Sequence, residues 1–323
     1  MRLLVFRIGN IGDSLVSLPA IWAIKKAFPS AELFLLTESS KTASFASAWS
    51  VLRETGLFKD CLSYVKKERR NTLIHLLSLF ITAIKIRRFH FDKIFYLAPS
   101  PRTEIQINRD RNYFNWWCGI HEIIGDFPLH LDLSAEKPLK RLAHESDNLL
   151  SRIQSMVNIS DPTRRMDLNI QLDEIKHCSD RFSSDFPDHR NQPWIAIGPG
   201  SKMPSKKWPL ERYLQVLQRL MISHNVWPVI FGSSEDKEQG DTIITSLRMG
   251  RNLAGKLSIR ESAALLSQFD LYLGNDTGTM HLAASTGISC IAIFSARDYP
   301  GLWYPYGSNI QLLENKFRAK DVC

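Results

Sequence analysis

Apolar and polar positions along this chain fall into one pattern, which is laid down twice. Leu3 to Ile8 is a short, branched apolar run, as expected of a strand buried on both faces. Leu15, Leu18, Ile21, Trp22 and Ile24 then recur at helical spacing, and Glu32 to Leu36 reads as the next strand. The chain therefore opens β-α-β, as doubly wound parallel sheets do. Lys93 to Leu97 is a further strand. Asp132 to Asp173 is rich in charge, Pro and Ser, and the domain junction is expected just after it, dividing residues 1–178 from 179–323.

Beyond that junction the pattern restarts. Trp194 to Ile197 is predicted as a strand, Pro209 to Ser223 as a helix, and Trp227 to Phe231 as the next strand. Ile259 to Gln268 is predicted helical, Leu271 to Leu273 extended, Met280 to Ser285 helical, and Cys290 to Phe294 extended. Regular alternation of strand and helix makes both halves α/β, each Rossmann-like.

Composition narrows the class. The 323 residues are 44% hydrophobic and 23% charged, an ordinary globular balance for a chain long enough to bury two cores. Five cysteines with no Cys-x-x-Cys pair argue against a disulfide scaffold and exclude a cysteine zinc site of the usual spacing. The N-terminus runs straight into the first strand without a signal-peptide core, which points to a cytoplasmic protein. The formal net charge is +8. That is either a solvated basic surface or an attraction to phosphates, nucleic acid or an acidic membrane. Trp116 and Trp117 near Arg109 and Arg111 read as core or as the lining of an acceptor pocket. No nucleic-acid-binding signature accompanies them, so no nucleic-acid partner is expected.

The candidate chemistry sits in the loops. Gly198-Pro199-Gly200-Ser201 follows a predicted strand and precedes Lys206-Lys207-Trp208-Pro209. A glycine-rich turn lets backbone N–H groups approach an anion, and a nearby lysine adds a point charge. Without an anion the same residues make a Gly/Pro loop with solvated lysines. In Asn275-Asp276-Thr277-Gly278-Thr279-Met280-His281, Asp276 and Thr277 either cap a helix or leave its N-terminus open to a diphosphate. His281 is either a phosphate donor or a satisfied, partly buried histidine. Both loops follow strands of one half, where ligands bind in open α/β sheets.

In Gly9-Asn10-Ile11-Gly12-Asp13 the spacing is G-x-x-G, which argues against a dinucleotide-binding dehydrogenase. Asp13 is either a capping aspartate or a general base for an acceptor hydroxyl. Lys66, Lys67, Arg69 and Arg70 precede the apolar stretch Leu73 to Ile84, and Lys85, Arg87 and Arg88 follow it. That stretch is too short to span a bilayer. It is a core helix with charged ends or a surface that docks on anionic lipid. His75 within it reads as structural, and no grouping of His, Asp and Glu compels a metal site.

These segments together resemble glycosyltransferase family nine, the ADP-heptose:lipopolysaccharide heptosyltransferases. The resemblance runs through Arg7-Ile8-Gly9-Asn10-Ile11-Gly12-Asp13, Leu18-Pro19-Ala20, Gly198 to Ser201, Lys206 to Pro209 and Phe231-Gly232-Ser233. It continues through Leu253-Ala254-Gly255-Lys256, Asn275 to Ala284 and Tyr304-Pro305-Tyr306-Gly307. It implies the GT-B architecture, two Rossmann-like domains facing a cleft, with the acceptor on the N-terminal half and the nucleotide-sugar on the C-terminal half. It implies an inverting transfer with no cofactor and no required metal, from an ADP-sugar to lipopolysaccharide core or another lipid-linked glycan, at the cytoplasmic face of the inner membrane. By the same resemblance Asp13 is the base, and Gly12 belongs to the acceptor-side loop. Lys206, Asp276, Thr277, Gly278 and His281 contact the donor phosphates, Gly200 and Ser201 form the phosphate-facing loop, Leu257 packs on adenine, and Glu235 binds the ribose. Two other readings keep the fold: a nucleotide-sugar epimerase, and a sugar-nucleotide-binding protein without catalysis.

Overall fold

A computed structural model of the chain describes residues 1–40, 45–68, 71–129, 141–157, 166–182, 186–187, 192–295, 299–307 and 310–314. The chain forms two compact units, Met1–Asn169 and Ile170–Cys323. The expected division after residue 178 falls inside a helix of the second unit, Leu172–Phe182, which packs on a later helix of that unit through the pair of Arg260 with Glu174.

The first unit contains β1 (Arg2–Phe6), α1 (Ile11–Leu15), α2 (Leu18–Ala27), β2 (Glu32–Ser39), α3 (Ala48–Leu52), β3 (Asp60–Val65), α4 (Thr72–Phe89), β4 (Lys93–Tyr96), α5 (Glu104–Asn112), β5 (Ile123–Ile124) and α6 (Glu145–Ile153). Its sheet is parallel, in the order β3-β2-β1-β4-β5. Leu3, Leu4 and Val5 are fully buried, as a two-sided apolar run requires. The predicted first helix is two: Ser17 donates through its hydroxyl to the Ser14 carbonyl, and Pro19, which has no N–H, sits in the opening turn of α2.

The second unit contains α7 (Leu172–Phe182), β6 (Trp194–Gly198), α8 (Leu210–His224), β7 (Trp227–Ile230), α9 (Lys237–Leu247), β8 (Arg251–Asn252), α10 (Ile259–Leu266), β9 (Leu271–Asn275), α11 (Gly278–Ser285), β10 (Ser289–Phe294) and β11 (Ile310–Glu314). All its strand pairs are parallel, in the order β11-β10-β9-β6-β7-β8. That is the doubly wound order, with the reversal between β6 and β9. Ile195, Ile197, Tyr213, Leu217, Ile230 and Ile243 form the centre of its core.

The charged stretch around the junction is not simply a linker. It contains α6, in which Glu145 and Arg152 are buried. Burial is tolerable because the charges meet partners: Glu145 lies 3.7 Å from Arg7 and accepts from the Ser100 N–H, and Arg152 donates to the Ala98 carbonyl.

Candidate functional site

In the second unit the ends of β6 and β9 lie side by side, with Gly198 in register with Gly274. From β6 the chain winds one way to β7 and β8, and from β9 the other way to β10 and β11. The loops that leave these two strands flank the switch point, where open α/β sheets bind their ligands. Pro199, Gly200 and Ser201 leave β6, and a 3-10 turn, Pro204–Lys206, brings the lysine back. The Lys206 ammonium donates to the Asp276 carboxylate at 2.5 Å, and both side chains are largely buried. The carboxylate that holds this cation stands two residues before the start of α11.

Thr277 occupies the N-cap of α11 in extended geometry, but its side chain makes no bond to the first turn. The Thr277 side chain thus does not cap α11, and the Asp276 carboxylate pairs with Lys206. The first turn of a helix presents aligned N–H groups and the positive end of the helix dipole. His281 is buried in the same turn and donates its N–H to the Thr277 carbonyl.

One residue outside the predicted set holds this frame. The Asn275 side-chain amide donates to the Pro199 carbonyl at 2.7 Å and to the Gly200 carbonyl at 3.3 Å. Its oxygen accepts from the Trp208 N–H at 3.1 Å and the Tyr213 hydroxyl at 2.9 Å. Asn275 stands inside the motif that carries the resemblance, which was the only sequence signal for it.

On the other flank Asp236 reaches over the glycines. A Cβ on Gly200 would lie 1.9 Å from Asp236 Oδ1, and one on Gly232 would lie 2.6 Å from Oδ2, so neither position accepts a side chain without displacing the carboxylate. Asp236 also accepts from the Ser233 N–H and hydroxyl. Glu235, the predicted ribose ligand, is exposed beside it. The Gly255 N–H donates to the Gly232 carbonyl at 3.0 Å, which brings the half-buried Leu257 to the same edge of the sheet. The structure thus gathers Gly200, Ser201, Lys206, Leu257, Asp276 and Thr277, on loops, with Gly278 and His281 of α11, at the carboxyl ends of one sheet.

Asp13 and Gly12 lie in the first unit, at its own reversal between β1 and β4. Asp13 Oδ2 accepts from the Asn10 N–H at 2.8 Å, a local cap. Gly9, at φ +116°, could not carry a Cβ without striking that carboxylate. Beneath the loop the wholly buried Arg7 donates to the main-chain carbonyl of Asp13 and, at 2.7 Å, to that of Leu97. Arg7 therefore ties the loop after β1 to the loop after β4.

The basic segment also departs from its simplest reading. Lys66 is paired with Glu38 at 3.2 Å and lies over the Phe45 ring. Arg69 and Arg70 lie outside the described residues. Lys67, Lys85, Arg87 and Arg88 are exposed. Leu73 to Ile84 is not a core helix: of α4, only Thr82, Ala83 and Ile86 are buried. Trp116 and Trp117 are exposed and so are not core. His75 is structural, its Nδ1 meeting the Val65 carbonyl at 2.6 Å. Among the described residues no helix is long and apolar enough to cross a membrane.

Two doubly wound parallel sheets place the protein in the GT-B class. The model of Glycosyltransferase family 9 (heptosyltransferase) matches residues 140–322, and the chain belongs to that family. Lipopolysaccharide heptosyltransferase 2 of Salmonella typhimurium is 32% identical over 117 residues, 34% of this chain and 33% of that protein. The match thus spans about a third of that curated relative. Among solved structures, a family 9 glycosyl transferase from Veillonella parvula superposes with a TM-score of 0.73 at 19% identity, covering 97% of this chain and 86% of that one. The ADP-heptose heptosyltransferase II of E. coli gives 0.69 at 16% identity, covering 97% and 90%. At these identities the structural likeness is one of fold.

Proposed function

We propose that the protein is an inverting glycosyltransferase that moves a sugar, with heptose from ADP-heptose as the family default, onto lipopolysaccharide core or another lipid-linked glycan at the cytoplasmic face of the inner membrane. The observation that carries this reading is the Lys206–Asp276 pair beside the start of α11, at the reversal of the second sheet. A departing nucleoside diphosphate develops negative charge as the glycosidic C–O bond breaks. A fixed ammonium and aligned helix amides oppose that charge without a required metal. Gly200 and Ser201 shape the loop that receives the phosphates, His281 supports them from α11, Leu257 packs on the base, and Glu235 takes the ribose hydroxyls.

Asp13 is the base in this reading. It accepts the proton of the acceptor hydroxyl as the oxygen attacks the anomeric carbon from the face opposite the diphosphate. Its cap to Asn10 occupies Oδ2 and fixes the direction of the carboxylate, while Arg7 holds the backbone beneath it.

Calorimetric titration with ADP, GDP, UDP and dTDP, with and without EDTA, tests the donor side, and incubation with ADP-heptose and heptose-deficient lipopolysaccharide tests transfer. ADP-selective binding that EDTA leaves unchanged, with sugar appearing on the lipopolysaccharide, is the expected result. An ADP-sugar altered without any acceptor makes the protein an epimerase, and binding with no turnover makes it a non-catalytic relative.

A further inference from the structure

Helix α4 is built inside out. A surface helix ordinarily buries its apolar stripe and shows its polar one. In α4 the polar side chains His75, Ser78 and Thr82 turn inward and hydrogen-bond the backbone of the edge strand β3, at Val65 and Ser63. Ala83 and Ile86 are buried, but most of the large apolar ones turn outward: Leu73 is 83% exposed, and Ile74, Leu76, Leu77, Phe80, Ile81 and Ile84 are exposed with it. The patch extends beyond the helix. Arg87 donates to the carbonyls of Trp116 and Trp117 and fastens their turn against α4, and the Phe80 and Trp117 rings meet edge to face at 6.1 Å. Trp116 is itself 74% exposed. A patch of this size is unlike the scattered apolar residues of an ordinary surface.

We infer that α4 and the Trp116–Trp117 turn form an interfacial docking face, which seats the protein on a bilayer containing anionic phospholipid. Charge complementarity selects this occupant. No Asp or Glu occurs from Thr72 to Phe91, while Lys67, Lys85, Arg87 and Arg88 border the apolar face. Exposed leucines, isoleucines and phenylalanine suit the acyl boundary, paired tryptophans the headgroup level, and lysines and arginines the anionic surface. Eighteen helical residues give about 27 Å of contact lying in the membrane plane. The inference rests on the proposed function only in expecting a membrane-held acceptor. Vesicle binding needs neither donor nor acceptor, so its failure would leave the transferase reading standing.

The test is flotation with phosphatidylcholine vesicles, with and without phosphatidylglycerol. The wild-type protein is expected to float with the anionic vesicles, less so as salt rises, and Leu73→Ser/Leu77→Ser/Trp116→Ser to partition at least about tenfold more weakly. Acyl-brominated lipid is expected to quench wild-type tryptophan emission, and Trp116→Phe/Trp117→Phe to remove that quenching. This second, conservative variant decides the matter if the first fails to fold. Binding that the substitutions leave unchanged, indifference to phosphatidylglycerol, or a wild-type dimer in sedimentation that the variants lack would each overturn the inference, the last by making the face a subunit interface.

Discussion

The ammonium of Lys206 and the carboxylate of Asp276 meet at 2.5 Å across the reversal of the second sheet, joining the loop after β6 to the loop after β9. The pair has two separable consequences. Lys206→Met removes the cation beside a buried carboxylate and should cost about 1–3 kcal/mol of stability. Adding Asp276→Asn should recover most of that loss. If the ammonium also meets the diphosphate, ADP affinity stays about tenfold or more below wild type in the double variant. Thermal melts and calorimetry on the same three proteins check both, and recovery of ADP binding along with stability would make the pair structural.

Asp13→Asn keeps an oxygen to accept from Asn10 and so should leave the melting temperature near wild type. It removes the base and should lower kcat by about 10²–10⁴-fold with ADP affinity unchanged. Asp13→Ala loses the cap as well, for about 1 kcal/mol more. Single-turnover transfer beside ADP titration is the measurement. Near-normal turnover by the Asn variant would assign Asp13 to the cap alone.

Glu235 and Asp236 are neighbours with different duties. Glu235→Gln should weaken binding of ADP by about 1 kcal/mol while barely changing affinity for pyrophosphate, because only the ribose is affected. Asp236→Asn should lower stability, since that carboxylate organises the Ser233 turn over Gly200 and Gly232. Equal losses for ADP and pyrophosphate in the Glu235 variant would remove its ribose assignment.

His144 starts α6 and accepts from the Ser146 N–H at 3.0 Å. Burial pushes its imidazole from the ordinary 6.5 down to about 4. The unfolded chain therefore binds this proton first, so the stability is fully present above pH 6.5 and is lost as pH falls toward 4, by up to about 3 kcal/mol. His144→Asn keeps a capping oxygen without the titration. Its melting temperature should vary less than that of wild type between pH 6.5 and 4, and identical slopes would reject the assignment.

The central strands could be read directly, because Leu3 to Phe6 and Trp194 to Ile197 are short runs that are apolar on both faces. The edge strand β3, Asp-Cys-Leu-Ser-Tyr-Val, could not, because half of it faces out and its pattern is mixed. Helix α6 hid for a related reason: Glu145 and Arg152 look like surface charge until Arg7 and the carbonyls after β4 are placed beside them. In the site, Lys206 and Asp276 were named singly from their loops, but their pairing is a long-range fact that no local spacing encodes. For α4 the composition showed an apolar helix with basic ends, and only the hydrogen bonds of His75, Ser78 and Thr82 to β3 revealed which side faces out.

Asn275 narrows what mutation can do at this site. Its amide gives on one side, to Pro199 and Gly200, and receives on the other, from Trp208 and Tyr213. Aspartate is the same size but has nothing to give, leucine can do neither, and glutamine is one methylene too long for a space with no exposed surface. Position 275 is thus an alphabet of one letter. The loops around it can drift in sequence and change what they hold, but they inherit their relative placement as a single unit, and selection for a new donor must work through the side chains that line the frame.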